Sequence, residues 1–124
     1  MSAIGSRHAA CVSRLAELLH TRAGSAAIVR VQDPIVLDDY SEPQPDLVVA
    51  RRRDDFYRDA HPGPADVLPL IEVADTLLHV EKADKIPLYA RARIPEVWLV
   101  DSSGGLVEVH RRPVQAGYAD DILR

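Results

Sequence analysis

The run that most constrains the fold is residues 66–73, which reads DVLPLIEV. It is apolar almost throughout, and therefore predicts a central strand that is buried on both faces. Pro69 interrupts the run and implies a β-bulge or a later start of the strand, because proline cannot donate to a strand ladder. Glu72 is a lone carboxylate near the end of this run. Burying it would cost several kcal/mol unless it is paired or bound to a metal ion.

The pattern around this strand predicts a mixed β-sheet with flanking helices, an α/β fold. Apolar residues at helical spacing predict a helix over about 6–19, with Ser6 as its N-cap, and Gly24 lies where it should end. A second helix is predicted over about 81–93, with Pro87 tolerated only near its first turn. Residues after 110 read as a tail or as the beginning of something longer. Further strands are predicted at 26–31, 35–37, 46–50, 95–101 and 106–110.

The length, net charge and cysteine content of the chain limit the functions that it can have. The 124 residues suit one domain, and a net charge of −4 provides no global field that attracts nucleic acid, so DNA binding would need a local basic patch. The one cysteine, Cys11, excludes an internal disulfide and is expected to pack in the core. No apolar run is long enough for a membrane span and no signal peptide is visible, so the expected location is the cytoplasm.

Three charged residues stand at points where they could form one site. Asp46 opens a short apolar strand, Glu72 ends the central run, and Lys85 follows on the second helix. Two carboxylates from adjacent strands would make a hard oxygen site suited to Mg²⁺ or Mn²⁺. The Lys85 ammonium could hold the attacking water. Glu81 lies four residues before Lys85 on the same helix face and could orient the ammonium or reach a second metal.

Each residue also has an ordinary structural interpretation. Asp46 after a proline could be a turn or cap residue, and Glu72 could be a solvated residue at a strand end. Glu81 and Lys85 could be an exposed helix pair worth a few tenths of a kcal/mol. The spacing alone therefore leaves these alternatives open.

Several longer blocks resemble the Uma-two family of putative restriction endonucleases. They are GSRHAACVSRLAELL, VQDPIVLDDYSEPQPDLVV, DVLPLIEVADTLL and KADKIPLYARARIPEVWLVD, in the family's order from about residue 4 to 118. The resemblance implies a restriction-endonuclease-like fold of the PD-(D/E)XK class. It also implies a metal ion held by Asp46, Glu72 and the backbone carbonyl of Val73.

The family's active lysine is displaced onto the helix after the glutamate, which agrees with Ala74 at the position where the plain motif has lysine. The family pattern Asp-Arg-x-x-Lys falls here on Glu81, Lys82 and Lys85. The chain has 13 arginines but only these two lysines, three residues apart, which invites a chemical explanation.

The whole chain, 1–124, is expected to form a single nuclease-like domain. It is expected to lack the family's N-terminal segment, which carries a further glutamate, and part of its C-terminus. Loss of these parts would reduce activity or favour a homodimer.

Nucleic-acid contacts are expected at two places. Arg51, Arg52 and Arg53 follow the Asp46 strand and could contact phosphates, with a solvated charge run as the alternative. His8 lies where the family block places a histidine, and either lines the site or packs the helix. Trp98 and Tyr89 are interpreted as core residues. The other histidines lack partners at zinc-like spacing.

The leading hypothesis is a Mg²⁺-dependent endonuclease that hydrolyses DNA phosphodiesters by water attack. The second is a catalytically inactive remnant of the nuclease fold that acts as a binding or assembly module, which the acidic net charge favours. A third is a nuclease for RNA or branched DNA, because a PD-(D/E)XK site acts on the phosphate and not the sugar.

Overall fold

The structure is a computed structural model that describes residues 5–75, 82–103 and 105–123. In chain order its elements are helix α1 (Ser6–Ala23), strands β1 (Ala27–Val31) and β2 (Leu47–Arg51), a 3₁₀ turn (Pro64–Asp66), strand β3 (Val67–Ala74), helix α2 (Ile86–Arg91), and strands β4 (Glu96–Asp101), β5 (Val107–Val114) and β6 (Gly117–Leu123).

The strands of the described chain form one six-stranded sheet in the order β1-β2-β3-β4-β5-β6. Strands β3 and β4 pair in parallel, and every other neighbouring pair is antiparallel. Helix α2 lies in the connection between β3 and β4, as a parallel pair requires a crossover. The predicted mixed sheet with flanking helices is confirmed.

The sheet buries a separate apolar cluster on each face, because successive side chains of a strand point to opposite faces. On one face Leu70 packs in a cluster with Tyr89 of α2. On the other face Ile71 and Val73 pack with Val12 of α1. The prediction that the β3 run is central and buried on both faces is therefore confirmed. Cys11 is only half-buried, at the margin of the α1 cluster.

The predicted bulge at Pro69 is present. Val48 pairs with Leu70 and Ala50 pairs with Val67, so one residue of β2 faces two residues of β3. Pro69 is one of those two, and its missing N–H therefore costs no regular ladder bond on this side.

Several details of the predicted elements were wrong, although Gly24 ends helix α1 as expected. Helix α1 runs past residue 19 to Ala23, and the φ of 54° at Gly24 suits glycine. Its N-cap is Gly5, not Ser6, and no side chain caps it. Residues 35–37 form no strand, because the Ile35 and Val36 N–H groups donate to the loop carbonyls of Pro43 and Pro62. Helix α2 is shorter than predicted, with Pro87 in its first turn.

The predicted tail after residue 110 is instead the β5–β6 hairpin. Two acidic residues of β6 lie opposite basic residues of β5, because Asp121 pairs with His110 and Asp120 with Arg111. Asp121 is also bonded to His110, and Asp120 to Arg112. Opposite charges directly across a strand pair stabilise the pairing.

Candidate active site

The site begins with the register of β2 against β3. Leu47 pairs with Ile71, so one further step along the antiparallel ladder places Asp46 opposite Glu72. The Asp46 N–H donates to Glu72 Oε1 at 3.4 Å, which fixes the two acids against each other. Asp46 is only 5% exposed and Glu72 only 1%. The structure therefore brings together two buried carboxylates from neighbouring strands.

The Asp46 carboxylate is held from three sides. Its Oδ2 accepts the backbone N–H of Val73 at 2.8 Å. His8 of α1, which is also buried, places Nε2 at 3.3 Å from the same oxygen. Lys82 Nζ donates to it at 3.1 Å. These contacts fix the orientation of the carboxylate before any ligand binds.

The Glu72 carboxylate uses both oxygens. The Tyr89 hydroxyl of α2 donates to Oε2 at 2.6 Å, and Lys82 Nζ donates to Oε1 at 3.3 Å. Burial and the nearby Glu72 charge raise the pKa of Tyr89, so the hydroxyl keeps its proton and remains a donor.

Lys82 lies between the two acids and is bonded to both. Its side chain is only 17% exposed. Burial by itself would lower the pKa of Lys82, but the charges of Glu72 and Asp46 outweigh that effect, and the pKa is raised. The ammonium therefore remains charged at neutral pH and offsets the repulsion between the carboxylates.

Lys85 is the more accessible lysine. Its Nζ lies 3.6 Å from Glu72 Oε2, and its side chain is 37% exposed. It precedes the first residue of α2. The structure thus brings Lys85 to the acid pair, on the solvent side of Lys82.

Two residues of this cluster had no predicted role there. Lys82 stands out in the sequence through the family pattern and the scarcity of lysine, and that scarcity is the usable signal. The prediction that Tyr89 is a core residue is correct for its ring. Nothing in the sequence indicated that its hydroxyl reaches Glu72.

The other residues predicted for the site have different outcomes. Glu81 lies outside the described residues. Val73 contributes its N–H to Asp46, and the metal-binding role of its carbonyl stays a prediction. Arg51 ends β2, five residues from Asp46, which corresponds to about 17 Å along an extended strand.

The arginine run is engaged within its own loop. Arg51 donates to the Ala65 carbonyl at 2.7 Å. Arg52 stacks over the Phe56 ring, and Arg53 over the Tyr57 ring. The predicted phosphate-contacting run therefore lies at the opposite end of the strand from the acid pair.

Comparison with known proteins bears on this site. The family model Uma2, described as "Putative restriction endonuclease", matches residues 1–123. The chain belongs to the Uma2 family. A solved structure from Anabaena variabilis, described as a putative nuclease belonging to DUF820, is similar in fold to this Uma2 chain, with a TM-score of 0.70 at 14% identity. The match covers 98% of this chain and 69% of that one. No curated protein matches.

This likeness confirms the restriction-endonuclease-like fold class predicted from the sequence. In the described part of this Uma2 chain, no helix is long and apolar enough to cross a membrane.

The side chains of this Uma2 chain that could bind a metal ion at this site offer oxygen ligands. Across residues 5–75, 82–103 and 105–123, no three side chains of His, Cys, Asp and Glu form a group that could hold a metal ion. A cation bound here would rely on two carboxylates together with backbone carbonyl, water or substrate oxygens. Mg²⁺ is commonly bound in this way, through one or two carboxylates and substrate phosphates.

Replacing Tyr89 with Phe in this Uma2 protein should lower the free energy of unfolding by about 2 kcal/mol, because a buried carboxylate loses a hydrogen-bond donor. Urea unfolding measures the change. Tyr118→Phe is the matched control, since the Tyr118 hydroxyl donates to the neutral carbonyl of Ile94. It should cost about 1 kcal/mol. Equal losses in the two variants would contradict a special role for the Glu72 contact.

Proposed function

We propose that this chain is a divalent-metal-dependent endonuclease that hydrolyses DNA phosphodiester bonds. The observation that carries the proposal is the buried pair Asp46 and Glu72, aligned by strand register, with two lysine ammonium groups in contact with it. Burying two acids together is costly, and a fold that does so around accessible cations is typical of an active site. The family description supports the nuclease class.

The residues present fit Mg²⁺ or Mn²⁺. Asp46 and Glu72 would hold the ion, with the Val73 carbonyl as a further oxygen donor. The ion would supply an activated water and charge neutralisation at the phosphate. The fit rests on the hard oxygen character of the two side chains and on their fixed separation by a β-ladder.

The chain's own residues then have separate tasks. His8 and the Val73 N–H orient Asp46, while Tyr89 orients Glu72. Lys85 is accessible enough to hold the attacking water or to offset charge on the phosphate. Glu81, as predicted from the sequence, would assist Lys85.

The substrate proposed is DNA, and the proposed location is the cytoplasm. With a net charge of −4 the protein provides little long-range attraction for a polyanion. DNA must therefore be held by local contacts beside the acid pair.

The test is nicking of supercoiled plasmid by purified protein. We expect conversion to open circles with Mg²⁺ or Mn²⁺ and none with EDTA. A comparison of plasmid, single-stranded DNA and RNA tests the polymer preference. Absence of cleavage of every substrate at millimolar Mn²⁺ would contradict the proposal.

One observation favours a second function, that of a catalytically inactive nuclease fold serving as a binding or assembly module, for example as a homodimer. Lys82 and Lys85 together already offset the charges of the two carboxylates without a metal ion. Isothermal titration calorimetry with Mn²⁺ separates the two functions. Heat of binding at millimolar Mn²⁺ that disappears in Asp46→Asn supports the nuclease, and no heat in either protein supports the inactive module.

A further inference from the structure

A cleft of about 360 Å³ lies between α1 and the end of β4. Arg7, Cys11 and Arg14 line one wall, on a single stripe of the helix at spacings of four and three residues. Asp101 and Ser102 line the other wall. The cleft thus presents two guanidinium groups from one rigid element.

The cleft adjoins the acid pair. Arg7 directly precedes His8, whose ring contacts Asp46. The opposite wall is tied to the same strand as Glu72, because Asp101 pairs with Ala74 and the Ser102 N–H donates to the Ala74 carbonyl at 2.9 Å. Besides burial, the Asp46 charge also helps to raise the pKa of Cys11 in the cleft, so the cleft lies beside the Asp46 end of the acid pair, on the α1 side of the sheet.

Arg7 and Arg14 are exposed, and neither forms a hydrogen bond or an ion pair with another described residue. Arg53, Arg111 and Arg112 each have a carboxylate partner. Arg7 and Arg14 are thus available to an external anion.

The two guanidinium groups outnumber the acids of the opposing wall. Among the described residues that line the cleft, Asp101 is the acid, and its Oδ1 accepts the N–H and hydroxyl of Ser103 at 2.9 and 2.8 Å. Burial raises the pKa of the Cys11 thiol, although Arg14 opposes this shift, so the thiol adds no negative charge. Ser102 Oγ is enclosed and has no hydrogen-bond partner in the described structure.

We propose that this cleft binds the phosphate backbone of the DNA strand that flanks the cleaved bond, with Arg7 and Arg14 each contacting a phosphate. The inference rests on the proposed function and replaces the arginine run at 51–53 as the main backbone contact. Arginine forms paired hydrogen bonds with phosphate oxygens, and such contacts set position without selecting sequence.

The experiment is fluorescence anisotropy of a labelled 20-base-pair duplex with Ca²⁺ in place of Mg²⁺, over a series of salt concentrations. The variant is Arg7→Gln/Arg14→Gln. Each lost phosphate contact reduces the slope of log K against log salt by about 0.9, so a loss of about 2 is expected, with affinity roughly tenfold weaker or more. The control is Arg91→Gln/Arg93→Gln, which removes the same charge from the exposed end of α2.

The possible outcomes separate this inference from the proposed function. If wild-type protein cleaves and binds DNA but the α1 variant retains the full salt slope, the inference is wrong and the nuclease assignment stands. An equal loss in the control variant also overturns it, because the effect is then one of net charge. If wild-type protein neither binds nor cleaves DNA, both proposals fail together.

Discussion

Asp46→Asn is expected to reduce Mg²⁺-dependent DNA cleavage at least about 100-fold, the range found when one group that stabilises a transition state is removed. The amide removes the negative charge that would hold the cation, while its oxygen can still accept the Val73 N–H. Glu72→Gln should behave in the same way, because it removes the other carboxylate of the pair. Plasmid nicking and Mn²⁺ calorimetry measure the two losses.

A charge-matched control distinguishes loss of function from loss of fold. Asp120→Asn makes the same acid-to-amide change on the β5–β6 hairpin, where Asp120 pairs with Arg112 on the surface. It should leave cleavage unchanged. Cleavage by Asp46→Asn at the wild-type rate would end the assignment of this acid pair as the active site.

The second large effect concerns the two lysines, which should respond in opposite ways. Lys82→Met removes the ammonium that bridges both acids. The metal-free protein should lose about 3 kcal/mol of stability, because two buried carboxylates are left facing each other with only the more distant Lys85 ammonium to offset their charge. A divalent cation no longer competes with Lys82 for them, so Mn²⁺ should bind more tightly and restore stability as ligand linkage requires.

Lys85→Met should instead leave Mn²⁺ affinity and stability close to wild type, because this side chain is more exposed and contacts one acid at a longer distance. The substitution should instead lower the cleavage rate at least about 100-fold. Thermal unfolding with and without Mn²⁺, calorimetry and nicking on both variants make the comparison. The opposite pattern, with weaker Mn²⁺ binding in Lys82→Met and full cleavage in Lys85→Met, would reverse the two assignments.

The central strand could be predicted from the sequence because the free-energy cost of exposing an apolar run to water depends only on the residues of that run. A run such as that around Leu70 and Ile71 can only be buried, and Pro69 can only be accommodated at an irregularity. The β6 strand escaped prediction because its stability comes from partners on β5. Asp120 and Asp121 are typical of a tail until Arg111 and His110 are placed opposite them.

The residues of the candidate site also differ in how far the sequence could predict them. Asp46 and Glu72 stand out because a charge in an apolar run conflicts with its surroundings. Lys82 and Lys85 are three residues apart and carry the same charge, so sequence gives no way to say which lies between the acids. That choice depends on how helix α2 sits against the sheet, where Tyr89 packs in the core.

The six strands lie side by side in the order in which they occur along the chain. Only the pairings from β4 to β6 join segments that are close in sequence, whereas long linkers separate the strands from β1 to β4. The β2–β3 pairing that sets Asp46 beside Glu72 joins residues 26 positions apart, and such non-local contacts form more slowly than local ones. The two acids should consequently meet only when the centre of the sheet closes, whether or not a cation is present to accompany them.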